Sequence, residues 1–234
     1  MTEQQLIENL DNIGINPTEK QLNQLNKYYE MLVEWNKKMN LTGITVKNDV
    51  YLKHFYDSAT LNKAIDLIEA ENLCDIGTGA GFPGVVLKIL FPNLKVTLLD
   101  SLNKRIIFLN EVIKELNLKD IEAVNERAEN YCLERKNKFD IVTSRAVASL
   151  SILLEYSSPL TKINGHIVPM KAELIDKKED IERICKELKI SYISQKEFYL
   201  PIENSKRTLL IFQKKEVTPS KYPRKYAEMK KKPL

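Results

Sequence analysis

The feature that most constrains this chain is a glycine-rich turn that follows a short apolar run. Residues 73–76 read Leu-Cys-Asp-Ile, a pattern typical of a buried strand. Four glycines follow within eight positions: Gly77, Gly79, Gly81 and Gly84. Glycines permit a tight turn and the close approach of a ligand, and Pro83 suits the first turn of a helix. Strand, glycine turn and helix in this order predict the nucleotide-binding corner of an α/β sheet.

Two interpretations of the glycines compete. The spacing of Gly79, Gly81 and Gly84 also satisfies the G-x-G-x-x-G pattern of dinucleotide enzymes. A turn that merely closes a strand onto a helix would not need four glycines, because each one costs chain entropy on folding. The motif therefore indicates a nucleotide-like ligand without deciding which one.

Length and composition indicate one large α/β domain. A chain of 234 residues can bury a sizeable core, and its net charge of +4 is mild for 29% charged residues. Its three cysteines, Cys74, Cys132 and Cys185, are far apart, which suggests a reducing, cytoplasmic setting and no metal or disulfide site. We see no targeting signal and no apolar run that approaches the ~20 residues of a membrane span.

The N-terminal part, residues 1–70, carries almost no strand signal. Apolar residues recur at spacings of three and four in two stretches, which predicts two amphipathic helices. Thr18 and Gln21 have the spacing of a capping box at the start of the second helix. A short helix over residues 49–55 and another, capped by Ser58 and running to residue 69, complete a predicted helical cap.

After the glycine turn, predicted strands and helices alternate. Four more strands are expected at residues 95–99, 121–125, 139–144 and 166–170. Helices are expected at residues 103–116, with Ile107 on the inward face, and at 150–160 and 175–188. Two further strands, 192–199 and 207–213, are separated by too few residues for a crossover helix and should be antiparallel. This ending differs from the dehydrogenase plan and favours the seven-stranded, Rossmann-like sheet of S-adenosylmethionine-dependent methyltransferases.

These patterns divide the chain into three predicted parts. They are an N-terminal helical cap (1–70), a methyltransferase domain (71–213) and a basic C-terminal tail (214–234). Lysines and arginines dominate the tail, which we expect to be loosely ordered.

Asp100 ends the second strand about twenty residues after the glycines. At that position a carboxylate accepts hydrogen bonds from the ribose hydroxyls of a nucleoside. The alternative is helix capping, because Asp100 or Ser101 precedes a helix. We favour the ligand role, with Gly77 and its neighbours beside the amino-acid end of the cofactor.

Two further candidates follow later strands. Ala128 and Glu129 come after the third strand, where an adenine ring would lie, although a solvated surface turn is an equal alternative. Arg145 ends the fourth strand, beside the expected position of the transferable group. An unpaired buried cation is costly, so Arg145 is either a site residue, which we favour, or one half of an ion pair.

The fourth strand lacks the groups that other methylations use. The sequence Ser144-Arg145-Ala146 offers neither the Asn/Asp-Pro-Pro-aromatic turn typical of amine methylation nor a cysteine nucleophile. A target with an unprotonated lone pair, such as guanine N7, requires no base, and attack would depend on orientation and desolvation.

His54, Asp57 and Ser58 are too close in sequence for a hydrolase triad, and capping is the expected role of Asp57 or Ser58.

With these residues in place, the chain resembles the bacterial small-subunit (16S) ribosomal RNA methyltransferase G family, also called glucose-inhibited division protein B. The most specific shared elements are the Gly-Phe-Pro-Gly corner at 81–84 and Ser-Arg-Ala at 144–146. Further shared elements span nearly the whole chain: Trp35-Asn36, His54 with Asp57-Ser58, Leu99-Asp100-Ser101, Arg127-Ala128-Glu129, Lys171, Arg207 and Tyr222-Pro223-Arg224. Departures such as Ala172, Ala227 and Met229, where the family has glycine or proline, affect the tail more than the site.

The resemblance implies S-adenosylmethionine-dependent methylation of N7 of a guanine in small-subunit ribosomal RNA. We separately expect a monomeric enzyme that acts on RNA within the small subunit. The turn, the acid and the resemblance together predict these cofactor-binding residues: Gly77, Gly79, Phe82, Asp100, Ser101, Leu102, Ala128, Glu129 and Arg145. Arg145 is also a candidate for orienting the guanine. The guanine must be unpaired or flipped, because the RNA major groove is too narrow for side chains. Candidate RNA-binding cations are Lys171, Arg207, Arg224 and Lys225.

Two other classes of function remain open at this stage. A nicotinamide-dependent oxidoreductase would also use the glycine pattern and Asp100. A non-catalytic nucleotide-sensing or assembly protein would explain why no general base is evident.

Overall fold

The fold, a computed structural model that describes residues 1–145, 149–172 and 177–234, is built on one seven-stranded sheet. The strands are β1 (Asn72–Ile76), β2 (Lys95–Asp100), β3 (Ile121–Asn125), β4 (Phe139–Arg145), β5 (Thr161–Lys171), β6 (Ile190–Tyr199) and β7 (Lys206–Lys214). Their order across the sheet is β3-β2-β1-β4-β5-β7-β6. All seven strands predicted from the sequence are therefore present.

Strand direction confirms the predicted class of sheet. Strands β1 to β5 pair in parallel, whereas β7 is antiparallel to both β5 and β6. The connection between β6 and β7 is too short for the crossover that a parallel pair requires. The carboxyl ends of the parallel strands consequently share one edge, and the strand order reverses at β1 and β4.

Helices cover both faces of the sheet and form the N-terminal layer. The α-helices are α1 (Glu3–Asp11), α2 (Glu19–Met39), α3 (Lys47–Val50), α4 (Asp57–Ala59), α5 (Gly84–Leu90), α6 (Asn103–Glu115), α7 (Ala128–Glu134), α8 (Leu150–Leu160), α9 (Lys178–Leu188) and α10 (Tyr226–Lys231). The predicted capping box is confirmed at the start of α2, where Gln21 donates its backbone N–H to the Thr18 hydroxyl and accepts from the Thr18 N–H. A π-helical segment, Tyr51–Tyr56, joins α3 to α4, and one 3₁₀ turn, Thr60–Lys63, follows.

Three local predictions are wrong. The helix expected to reach residue 69 ends at Lys63, and Ser58 lies inside a continuous helical stretch instead of capping it. Ile107 is 47% exposed because it lies on the outer face of α6. The sequence patterns also missed α7 and α10. Ala146 and the expected start of a helix at residues 175–176 lie outside the described residues.

One continuous apolar core joins the N-terminal helices to the sheet. Leu25, Tyr28 and Leu32 of α2 pack in the same cluster as Leu98 of β2 and Leu109 of α6. The N-terminal layer therefore forms part of the wall around the sheet edge.

The C-terminal tail is ordered where we expected it to be loose. Met229 of α10 is fully buried against α7 and α8, and Tyr222 is 3% exposed. Arg224 donates from both its backbone N–H and its guanidinium to the carboxylate of Glu155 on α8, which is 1% exposed. This ion pair fixes the tail to the body of the sheet domain.

In the described parts of the chain, none of the helices combines the length and the apolarity needed to cross a membrane.

Candidate cofactor site

A cavity of about 500 Å³ opens at the carboxyl edge of β1 to β4. Eight of the nine predicted cofactor residues line it: Gly77, Gly79, Phe82, Asp100, Ser101, Ala128, Glu129 and Arg145. Leu102 does not line it. Leu102 is 44% exposed, and its backbone N–H donates to Asp100 Oδ1 at 2.9 Å. We call this space the cofactor cavity.

The glycine turn forms the floor of the cofactor cavity. Gly77 and Gly79 have φ angles of 66° and 63°, a region that side chains with a Cβ rarely adopt. Gly81 has a different function, since a Cβ at that position would lie 2.6 Å from the hydroxyl of Tyr28 on α2. That hydroxyl donates to the carbonyl of Ala80, so the N-terminal layer holds the turn in place.

Asp75, the last acid before the turn, is fully buried and binds the turn through its carboxylate. Its Oδ2 accepts from the Thr78 hydroxyl at 2.7 Å and from the Gly84 N–H at 2.9 Å. Burial raises the pKa of the Asp75 carboxyl to about 6, against the lowering effect of these two hydrogen bonds. Strand β1, the turn and the start of α5 are thus tied through one carboxylate.

Asp100 lies at the other side of the turn and is 3% exposed. Its Oδ2 accepts from the Gly79 N–H at 3.0 Å and from the Arg105 guanidinium at 2.9 Å, whereas its Oδ1 accepts from Leu102 N–H. A carboxylate offers about four lone-pair positions, so Oδ1 can accept a further hydrogen bond from a ligand. Asp100 does not cap α6, which was the alternative role. The residue at the N-cap of α6 is Leu102, and no side chain caps that helix.

The wall beyond β3 combines predicted and unpredicted residues. Ala128 begins α7, and the carboxylate of Glu129 lies 3.7 Å from the Arg127 guanidinium. Two aromatic rings complete this wall, Tyr156 of α8 and Tyr226 of α10, and neither was predicted. Tyr226 lies 98 residues from Ala128 in sequence, so no local pattern could have linked them.

Arg145 ends β4 and lines the cofactor cavity, and burial lowers the pKa of its guanidinium although Asp57 opposes the shift. Its Nη1 donates to the Lys53 carbonyl at 2.8 Å and to Asp57 Oδ2 at 3.3 Å, and the guanidinium lies 5.2 Å from the ring centre of Phe82. Arg145 therefore forms the ion pair that was one of its two predicted alternatives, and it also lines the cavity.

His54 is a neutral imidazole packed between Phe82 and Arg145. Its ring stacks on Phe82 with centroids 4.3 Å apart, and burial followed by the Arg145 charge lowers its pKa to about 3. Arginine has no acceptor, so Arg145 Nη2 donates to His54 Nδ1 at 3.1 Å. The imidazole proton of His54 therefore lies on Nε2, which donates to the Thr42 hydroxyl at 2.8 Å. The Lys53 carbonyl, 3.2 Å from Nδ1, accepts from Arg145 instead.

Asp57 was missed as a site residue and was expected to cap a helix. Its Oδ1 accepts from Arg207 Nε of β7 at 2.9 Å while its Oδ2 accepts from Arg145 of β4. The partners lie 88 and 150 residues away, which is why the sequence signal was absent. One carboxylate therefore joins the helical layer to two strands.

The four predicted RNA-binding cations are in different surroundings. Arg207 is paired with Asp57, and Arg224 is paired with Glu155. Lys171 lines a second, smaller cavity beside Arg145, and Lys225 is exposed just before α10. The structure therefore brings Lys171 and Arg207 to the same second cavity, whereas Arg224 and Lys225 lie elsewhere.

The residues of the cofactor cavity fit a nucleoside joined to a charged amino acid. Spare acceptor capacity on Asp100 suits a ribose hydroxyl, and the two tyrosines offer faces for a flat base. The glycine turn and Arg145 line the same cavity as these groups. Sheet order, the antiparallel β7 and this cavity define the S-adenosylmethionine-dependent methyltransferase class.

Comparisons with solved structures support that class of fold. The chain is similar to the YcgJ protein from Bacillus subtilis, with a TM-score of 0.54, 12% identity, and coverage of 70% of this chain and 100% of the other. It is also similar to a SAM-dependent methyltransferase from Aquifex aeolicus, with a TM-score of 0.53, 19% identity and coverage of 71% and 93%.

Sequence comparisons identify the family. The family model described as "rRNA small subunit methyltransferase G" matches residues 21–209. Proteins named "Ribosomal RNA small subunit methyltransferase G" from Lysinibacillus sphaericus and Exiguobacterium sibiricum are 47% and 46% identical to this chain, each over 100% of both chains. The homologue from Staphylococcus carnosus is 46% identical over 98% of this chain and 97% of its own length. The chain belongs to the rRNA small subunit methyltransferase G family.

Proposed function

We propose that this protein transfers a methyl group from S-adenosylmethionine to N7 of a guanine in small-subunit ribosomal RNA. The observation that carries the proposal is that Asp100, at the end of β2, and Arg145, at the end of β4, line one cavity over the carboxyl edge of the sheet. Family membership supports ribosomal RNA as the substrate.

The chain's own residues bind and orient the cofactor. Asp100 accepts from a ribose hydroxyl, while the Gly79 N–H and Arg105 hold its carboxylate in position. Ala128 and Glu129 contact the adenine edge, with Tyr156 and Tyr226 beside the ring. Phe82, stacked on His54, fills the apolar side of the turn near the amino-acid end and excludes water there.

Transfer to N7 requires positioning and no proton acceptor. Bound S-adenosylmethionine supplies an electrophilic methyl group on a sulfonium sulfur. Guanine N7 would accept this methyl group with the lone pair it already carries, and sulfur would keep the electrons of the broken S–C bond, so no residue of this chain would need to take a proton. His54, with its pKa lowered to about 3 and Nδ1 occupied by Arg145, is unsuited to act as a base at neutral pH. The rate then depends on orientation and desolvation.

An oxidoreductase is the weaker alternative. Dinucleotide enzymes continue into a second parallel half, whereas β7 here runs antiparallel to β5.

We further propose that the enzyme acts in the cytoplasm as a monomer, on RNA within the small subunit. Residues 1–70 form its helical cap, residues 71–213 its methyltransferase domain and residues 214–234 its tail.

The test is methyl transfer from labelled S-adenosylmethionine to small subunits isolated from cells that lack this enzyme. We expect label in the RNA, and 7-methylguanosine at one position after digestion and mass analysis. Subunits from cells that contain the enzyme serve as the control and should accept little label. Label at another atom, or no transfer, would contradict the proposal, and no transfer with intact cofactor binding would favour a nucleotide-sensing protein.

A further inference from the structure

A second cavity, of about 300 Å³, lies beside the cofactor cavity at the carboxyl end of β5 and the start of β7. His54 and Arg145 line both cavities and therefore mark their junction. Met170 and Lys171 of β5 and Arg207 of β7 line only the second one among the described residues. We call this second space the base cavity.

We propose that the base cavity receives the target guanine, with N7 directed at the junction formed by His54 and Arg145. This inference rests on the proposed function and adds where the substrate base binds. Transfer requires the reacting atoms to lie ~3 Å apart, so a base held in the base cavity can be methylated only if its N7 lies at the junction with the cofactor cavity.

The apolar lining of the base cavity suits a flat heterocycle. Met170 and Leu209 are 5% and 1% exposed, and Ile44, from the segment after α2, is half-buried opposite them. The volume is at the lower limit of small-molecule sites, about 300 Å³, which fits one base better than a larger ligand. Methionine also packs well against aromatic rings.

Arg145 supplies a donor that distinguishes guanine. The major-groove edge of guanine carries two acceptors, N7 and O6, whereas adenine has a donor in place of O6. Hydrogen bonds to Lys53, Asp57 and His54 occupy three of the five guanidinium N–H groups of Arg145. A remaining N–H can donate to O6, which would leave N7 beside the methyl group.

Cations at the mouth of the base cavity fit the RNA backbone. Lys53, Lys171 and Arg207 all line it, and Lys53 and Arg207 are held by Glu203 and Asp57. Phosphate contacts fix the register of a bound strand without reading its sequence. A flipped nucleotide needs both an enclosed base pocket and flanking phosphate contacts.

A bulky substitution in the base cavity separates this inference from the proposed function. Ile44→Trp should fill the base cavity, lower kcat/KM for RNA methylation by about tenfold or more and leave cofactor affinity within about twofold. Ile193→Trp is the matched control, because Ile193 is 50% exposed on β6 and lines neither cavity. Cofactor binding by both variants verifies folding.

A photocrosslink gives a second measurement that needs no variant. Substrate RNA with 6-thioguanosine at the modified position should crosslink to peptides that contain Ile44 or Met170 and Lys171. If the wild-type enzyme forms no 7-methylguanosine, the proposed function and this inference both fail. If it does, but Ile44→Trp is as active as Ile193→Trp or the crosslinks lie elsewhere, only the base cavity is overturned.

Discussion

Asp57 and Arg145 form a buried ion pair that joins the N-terminal helical layer to the end of β4. The side chain of Asp57 is 7% exposed and that of Arg145 is 17% exposed, and Asp57 Oδ2 lies 3.3 Å from Arg145 Nη1. The other oxygen of Asp57 binds Arg207, so one acid balances two guanidinium groups at the junction of the two cavities.

Removal of Asp57 should destabilise the protein and lower activity. Asp57→Ala leaves two buried cations without their shared carboxylate, and we expect the free energy of unfolding to fall by about 3 kcal/mol. Urea denaturation measures this change. Glu69→Ala, an exposed acid in the same region, should change the free energy of unfolding by less than about 0.5 kcal/mol. Equal stability of the two variants would contradict the role of Asp57.

Asp100→Ala should weaken cofactor binding. The variant loses an acceptor for the ribose and also the group that orients the Gly79 N–H and Arg105. We expect the Kd for S-adenosylmethionine, measured by calorimetry, to rise about 10- to 100-fold, as for loss of a hydrogen bond to a charged group. Lys231→Ala, on the exposed face of the tail, should bind the cofactor as the wild type does. An equal loss in both variants would count against this placement.

The tail should contribute to cofactor binding through Tyr226. Arg224 and buried Met229 hold α10 so that Tyr226 reaches the cofactor cavity. Tyr226→Ala should raise the Kd for S-adenosylmethionine by about 3- to 10-fold, the range expected for an aromatic contact. Tyr199→Ala, at a ring that is 60% exposed at the end of β6, is the matched control. Unchanged affinity after Tyr226→Ala would place the adenine ring elsewhere.

Arg224 should act on stability more than on RNA binding. Arg224→Ala leaves Glu155 buried and unpaired, so we expect a lower melting temperature. The dependence of RNA affinity on salt should change little, because Arg224 binds Glu155 and lines neither the cofactor cavity nor the base cavity. A clear decrease in the slope of log K against log salt would instead support the phosphate contact predicted from the sequence.

His54 should stay neutral far below its ordinary range. The chain has two histidines, so NMR of the imidazole groups in the wild type and in His166→Asn assigns the His54 signal. The shift of His54 should be flat from pH 8 to pH 5, because its pKa is about 3. Its folded pKa is below its unfolded value, so its contribution to stability is present above pH ~6.5 and is lost as pH falls toward 3. If His54 titrated near pH 6.5, this would contradict the hydrogen bond that Arg145 donates to His54 Nδ1.

Local patterns predicted the sheet because each strand and helix carries its own periodicity. The glycine turn and Asp100 were predictable for the same reason, since their spacing is short and the chemistry of the motif is specific. The antiparallel β7 followed from loop length alone.

Residues that depend on tertiary contacts were not predictable. Asp57 looks like a helix cap until β4 and β7 bring Arg145 and Arg207 to it. Gly81 looked like part of the ligand site, but its small size makes room for Tyr28. The tail looked solvated because lysines outnumber its apolar residues. In the structure Tyr222 and Met229 are buried, and Arg224 is paired with Glu155.

A crystal structure of the protein with S-adenosylmethionine tests most directly whether the cofactor binds in the cofactor cavity with its methyl group toward Arg145. We expect the ribose hydroxyls at Asp100 Oδ1, the adenine ring between Ala128 and Tyr226, and the sulfonium methyl directed at the junction of His54 and Arg145. Cofactor density outside the cavity formed by the glycine turn, or a methyl group that faces away from Arg145, would contradict it.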